Sequence, residues 1–194
     1  MERIRDAALE CFATNGIAAT SLRTVAESAG VSVGSVQHHF GTKAALVESV
    51  NDHVLKVIGG AVAATPLTTA TGDPLTEAGA RLTSMISSNA HVVDYLARAL
   101  IEGDDFGAEI FDGLLALSTA QREQFAAQDL LRPEQDMVWA ALNPLVLRLG
   151  AMLLRTHIER HLAGPLTEPD QLRRWDAAVT ALIRRGQFRD SPPH

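Results

Sequence analysis

The chain has 194 residues, 46% of them hydrophobic and 21% charged, an ordinary balance for a folded chain with room for one domain or a small head on a larger body. Its single cysteine, Cys11, excludes an intramolecular disulfide and a cysteine-based zinc cluster, and no apolar run reaches the roughly 20 residues of a membrane-spanning helix. A net charge of −6 excludes a broadly basic nucleic-acid binder, so any phosphate contact has to come from a few well-placed groups.

Apolar residues recur at spacings of three and four, and Val, Ile and Thr do not gather into alternating runs, so an all-α chain is expected. The first helix is predicted from about Glu2 to Thr14, with Ile4, Ala7, Ala8, Cys11 and Phe12 on one face and Asn15-Gly16 as its stop. The Met-Glu-Arg-Ile-Arg-Asp start has no apolar core, so neither a signal peptide nor a basic arm ahead of the helix is expected, and a cytoplasmic location follows. Thr20 or Ser21 caps a second helix that ends at Gly30, with Leu22, Val25, Ala26 and Ala29 inward. Ser32 caps a short third helix through about His39, with Val36 inward, and Thr42 caps a fourth that begins at Lys43 and carries Leu46, Val47, Val50 and Val54. Longer helices are predicted at about 75–89, 91–103, 106–128, 134–163 and 170–187, with a kink at Pro144. Loops are expected at Thr65–Pro74, Leu131–Glu134 and Gly164–Pro169, and a frayed tail at Asp190–His194.

Ala29-Gly30-Val31-Ser32 joins two short helices within four residues. That is the sharp connection a helix-turn-helix requires, with glycine supplying the positive φ and Ala26 the small residue at the crossing. The wider string is more specific. Thr20-Ser21-Leu22-Arg23-Thr24-Val25-Ala26-Glu27-Ser28-Ala29-Gly30-Val31-Ser32 continues into Gly34-Ser35-Val36, His38, Phe40, Lys43 and Leu46, with Ala7, Ala8, Phe12 and Gly16 upstream. From about Arg3 to Val50 the chain resembles the DNA-binding head of the TetR family of transcriptional regulators.

The resemblance implies an all-α homodimer with a three-helix helix-turn-helix head at 1–45 and a larger ligand-binding and dimerisation body at 46–190. It implies a recognition helix at about Val33–His39 lying in the major groove of double-stranded DNA. Val33, Gly34, Gln37 and His38 match groove-facing positions, and Arg23 matches one that reaches DNA from the preceding helix. Gln37 is suited to bidentate pairing with adenine. Thr20, Ser21, Ser35, His39, Thr42 and Lys43 are expected near phosphates, Lys43 at a helix N-terminus where free N–H groups favour an anion, and Ser32, the cap of the recognition helix, is counted with the DNA-binding residues. The family usually has Tyr where Gln37 and His39 stand, and commonly Lys in place of Val33, so an unusual operator is expected.

A dimer places two heads on a palindrome, and the resemblance sets the seam on 134–163 and 170–187. Its apolar candidates are Val138, Leu142, Leu145, Leu149, Met152, Leu153, Trp175, Val179 and Leu182. An unknown small molecule in the body, lined by Met85, Asn89, Tyr95, Phe111, Leu115, Trp139 and Asn143, is expected to release DNA, as in a ligand-responsive repressor. No catalytic residue, metal or cofactor is expected. Two other classes stay open. One is an interaction protein whose head no longer binds DNA. The other is a metal-binding helical protein using His157 and His161, four apart on a predicted helix but with Glu159 off the metalloprotease pattern.

Overall fold

Apolar residues at helical spacing produce helix almost throughout. The computed structural model describes residues 1–63, 73–103, 105–133 and 135–189, and among these the only strand-like pairing is one antiparallel bridge, Leu131 with Phe188. The helices are α1 (Glu2–Asn15), α2 (Leu22–Ala29), α3 (Val33–Phe40), α4 (Lys43–Ala63), α5 (Pro74–Ser88), α6 (Ala90–Glu102), α7 (Asp105–Ala127), α8 (Met137–Leu153), α9 (Arg155–Ile158) and α10 (Pro169–Gln187). The predicted loop from Thr65 lies outside the described residues as far as position 72, as do Glu134 and the tail from Asp190.

The element expected as one helix over 134–163 is two. α8 ends at Leu153, and the axis turns by 68° into Arg155–His161, whose last residues form a 3-10 turn. The turn falls at Leu154, where the backbone leaves the helical region (φ −94°, ψ 11°), and not at Pro144. Pro144 stays inside α8 because the carbonyl it leaves unpaired, that of Ala140, accepts from Gln187 Nε2 of α10 at 3.0 Å.

The chain divides into two compact units. The first comprises Met1–Val57 and Asn89–Asp112. Its core includes Phe12, Val25, Val36, Leu46, Val47, Val50 and Tyr95, each almost wholly buried. Cys11 is buried beside Phe12 as a small hydrophobe. α6 is held to α1 through its end: Arg98 donates to the carbonyls of Ala13 and Thr14, both at 3.1 Å, which the last turn of α1 would otherwise leave open. Tyr95 Oη donates to Asn51 Oδ1 at 2.6 Å, and Asn51 Nδ2 reaches the Phe106 carbonyl (3.4 Å) and Glu109 Oε2 (3.3 Å). The buried amide of α4 is thereby satisfied by α6 and α7.

The second unit comprises Ile58–Ser88 and the chain from Gly113 onward. Leu75, Ala78, Phe125, Leu131, Val179, Ile183 and Phe188 form a buried cluster, with the Phe125 and Phe188 rings edge to face at 5.0 Å. Backbone bonds from Arg132 to Gln187 and from Arg189 to Leu130, both 2.9 Å, pin the end of α10 to the segment before α8. Arg148 of α8 meets the buried Asp176 of α10 at 3.5 Å. A side chain on Gly79 of α5 would collide with that carboxylate, so the glycine is required by close approach.

Candidate nucleic-acid interface

The sharp connection predicted between α2 and α3 is present. Gly30 takes the left-handed conformation (φ 62°, ψ 40°), its N–H bonds to Glu27 at 3.2 Å, and the Val31 N–H bonds to Ala26 at 2.9 Å, closing a Schellman motif. Val25, Ala26 and Val36 meet with at most 1% exposure, which fixes α3 on α2. Arg3 of α1 adds a clamp that the sequence reading missed: its Nε donates to Ala29 O at 3.1 Å and its Nη2 to Gly30 O at 3.3 Å. A Cβ on Gly30 would have room, the nearest atom being Arg3 Nη2 at 4.0 Å, so a substitution meets only conformational cost. Gly30→Ala is therefore expected to lower stability by about 1–2 kcal/mol, read from the midpoint of urea unfolding. An unchanged midpoint would contradict this reading of the turn.

Three helix N-termini in this unit carry the expected caps. Ser21 Oγ accepts from the Thr24 N–H (3.0 Å), Ser32 Oγ from the Ser35 N–H (3.1 Å) and Thr42 Oγ1 from the Ala45 N–H (3.1 Å). All three cap residues are exposed, and each leaves first-turn N–H groups without intrahelical partners, the groups that hold anions. Thr20 differs from its expected role. It is buried, and its hydroxyl donates to Gly16 O (2.8 Å) and Cys11 O (3.3 Å), so it ties the α1–α2 turn together and turns no polar atom outward.

On α3, Val36 points into the core while Gly34, Gln37, His38 and His39 are exposed and Val33 and Ser35 are half-buried. Val33 with Gln37, and Gly34 with His38, stand four apart, so the four share one outward face. Nothing beyond Ser32 Oγ lies near the position of a Cβ on Gly34, leaving the backbone there approachable. The His38 and His39 rings contact each other edge-on at 5.5 Å. Arg23 pairs with Glu27 at 2.9 Å, both largely exposed, an ion pair that contributes little and is readily exchanged. Lys43 Nζ donates to Ala18 O at 3.1 Å, bracing the start of α4 against the α1–α2 turn. Between Ile17 and Val47 the charged residues are Arg23 and Lys43 against Glu27, one net positive charge within a chain of −6.

The residues expected to line a pocket are dispersed in their roles. Tyr95 is 1% exposed and bonded to Asn51, Trp139 is 58% exposed, and Asn143 is exposed. Asn89 precedes α6 as its N-cap residue, and Phe111 and Leu115 are half-buried on α7. A cavity in the second unit lies among α5, α7, α8 and α10, and none of the seven lines it. Among the seam candidates, Met152 and Val179 belong to the interior, whereas Val138 and Leu182 are exposed. The sequence reading missed Met137, Val146, Leu147 and Leu154, which are exposed as well. His157 and His161 do not share a helix face, because α9 gives way to the 3-10 turn between them. Among the described residues no three His, Cys, Asp or Glu side chains are grouped to hold a metal ion, and no single helix is long and apolar enough to cross a membrane.

Residues 4–50 match the sequence pattern of the bacterial regulatory proteins, tetR family. The HTH-type transcriptional regulatory protein RaaS of Mycobacterium tuberculosis is 30% identical over 134 residues, 69% of this chain and 60% of that protein. The HTH-type transcriptional repressor Rv3405c of the same organism is 32% identical over 136 residues, 69% and 59% of the two chains. The chain thus spans about three-fifths of the length of these relatives. Among solved structures, SmeT, the repressor of the Stenotrophomonas maltophilia multidrug efflux pump SmeDEF, superposes with a TM-score of 0.72 at 19% identity, covering 97% of this chain and 90% of SmeT. A TetR-family protein of Mesorhizobium loti gives 0.71 at 19% identity, covering 97% and 96%. At these identities the likeness is one of fold.

Proposed function

The chain belongs to the TetR family of bacterial regulatory proteins, and from that premise we propose that it is a transcriptional regulator that reads a palindromic operator in double-stranded DNA as a homodimer. The observation that carries the reading is the outward face of α3, Val33, Gly34, Gln37 and His38, flanked by the exposed capped starts of α2, α3 and α4. In this reading α3 enters the major groove. Gln37 pairs with an adenine edge, Val33 packs on a thymine methyl, and Gly34 lets the backbone approach. The capped N-termini take phosphates through N–H groups, with Ser35, His39, Arg23 and Lys43 beside them. Such binding draws on oriented dipoles more than on bulk charge, which reconciles phosphate contact with an acidic chain.

The homodimer reading rests on α8. Trp139, Leu142, Val146 and Leu149 follow at spacings of three and four, the first and third being 58% and 51% exposed. An apolar stripe of this kind on a surface helix is covered in a stable assembly. A second copy supplies a self-complementary partner and sets two heads on two half-sites. The regulator is read as a repressor released by a small molecule in the body, which shifts the dimer toward a state whose heads no longer match the operator.

Gln37→Ala tests the reading. Operator affinity is expected to fall about 5- to 150-fold (~1–3 kcal/mol) and discrimination at one base pair per half-site to relax, measured by fluorescence anisotropy on operator variants. Unchanged affinity and base preference would place the reading surface elsewhere and favour a head used for protein contacts.

A further inference from the structure

The ionisable side chains of α3 are His38 and His39, and both are exposed. Their rings meet edge to face at 5.5 Å, and the His39 ring lies against that of Phe40 at 6.5 Å. The charged groups around this face are of other types. On α2, Arg23 pairs with Glu27 at 2.9 Å. At the α2–α3 turn, Arg3 Nη2 donates to Gly30 O at 3.3 Å. At the start of α4, Lys43 Nζ donates to Ala18 O at 3.1 Å, and the next charge along that helix, Glu48, is exposed. Arginine, lysine and glutamate do not ordinarily change charge between about pH 6 and 8, whereas imidazole does. Residues 17–47 therefore carry one net positive charge with both rings neutral and three with both protonated.

We propose that His38 and His39 make operator binding proton-linked: the head takes up protons as α3 enters the groove, and the dimer holds its operator more tightly as pH falls. Phosphate oxygens and the guanine edge offer acceptors alone, so both favour a ring with two N–H donors over a ring with one. A phosphate beside an imidazole also favours its charged form directly. With so few fixed cations in the head, one added charge is a large share of its attraction for DNA. By reciprocity, acid strengthens DNA binding by the free energy that DNA adds to proton binding. Of the other histidines in this unit, His53 of α4 acts in the opposite sense. Burial first, and then Arg5, holds its imidazole toward the neutral form, so the folded state loses stability as pH falls through the range where an unfolded imidazole charges. His91 of α6 stands 3.9 Å from Glu10 of α1. The proton link rests on the DNA reading above and adds to it a dependence on acidity.

The test uses the full chain and a palindrome selected from random duplexes at about pH 6, with affinity read by fluorescence anisotropy between about pH 8 and pH 6 at constant ionic strength. Affinity is expected to rise about 10- to 100-fold as pH falls across this range, an average uptake of about 0.5 to 1 proton per dimer. Titration calorimetry at about pH 7, in buffers of different ionisation enthalpy, counts the same protons directly. His38→Gln combined with His39→Gln is expected to leave affinity flat across the range, judged against its own value at the alkaline end. Because both rings face DNA and the double variant loses contacts as well as charge, each single variant is measured too, and at least one is expected to lower the proton count. His53→Gln and His91→Gln are expected to keep the full wild-type slope. A wild-type affinity that changes less than about threefold, no proton uptake, a slope that survives the double variant, or a count undiminished in both single variants would each overturn the proton link. Sequence-specific binding without a pH slope would leave the regulator reading intact, whereas no sequence preference at any pH would sink both.

Discussion

Aspartate at both Trp139 and Val146 is expected to yield a folded monomer whose operator affinity falls roughly 10²- to 10⁴-fold, the gain that linking two binding modules supplies. The two residues lie seven apart on α8 and so on one stripe, and both are more than half exposed, so a carboxylate at either position enters water without opening a cavity. In a dimer sealed by this stripe the same substitutions bury four unpaired charges, two per subunit, each costing far more than a lost apolar contact. The monomer retains its α3 surface and binds a single half-site with the weak affinity of one head. Sedimentation equilibrium checks the assembly and anisotropy the affinity. A double variant that remains dimeric would move the seam off α8.

Phe12→Ala is expected to destabilise the first unit by about 3–5 kcal/mol, a large share of the ~5–15 kcal/mol that holds a domain of ordinary stability. Phe12 is 1% exposed on α1, and its ring stands 6.3 Å from that of Tyr95, itself 1% exposed. Removing it opens a void beneath the Tyr95–Asn51 bond, so the hydrogen-bonded link among α4, α6 and α7 loosens with the packing. Denaturant unfolding measures the loss. Phe12→Leu, which keeps much of the volume, is expected to cost far less, and a cost below about 1 kcal/mol for Phe12→Ala would show that the core re-forms without it.

What was legible in the sequence is what local chemistry decides. Ser21, Ser32 and Thr42 cap the helices they were expected to cap, and Gly30 closes the turn, because each of these depends on residues within four positions. What was not legible depends on distant partners. Thr20 and Ser21 are adjacent hydroxyls with equal claim to an outward role, and only the path of α1 decides that Thr20 turns inward. Arg98 closes the end of α1 from 85 residues away, and Asn51 is satisfied by Tyr95 from 44 away. The break at Leu154 was masked by Pro144, whose lost bond Gln187 compensates from another helix. Trp139 looked like a pocket aromatic because composition does not reveal which side of an apolar helix is covered.

The most direct test of DNA reading is the salt dependence of binding to a palindrome selected from random duplexes, with a scrambled duplex beside it. With Arg3, Arg23 and Lys43 as the fixed cations near the three capped helix starts of each head, six in a dimer, the account predicts sequence-specific binding whose log–log slope with salt at about pH 8 is modest, no steeper than about −6. Selection of no palindrome, or equal affinity for the scrambled duplex at every salt concentration, would contradict it and leave a helix-turn-helix that serves protein contacts instead.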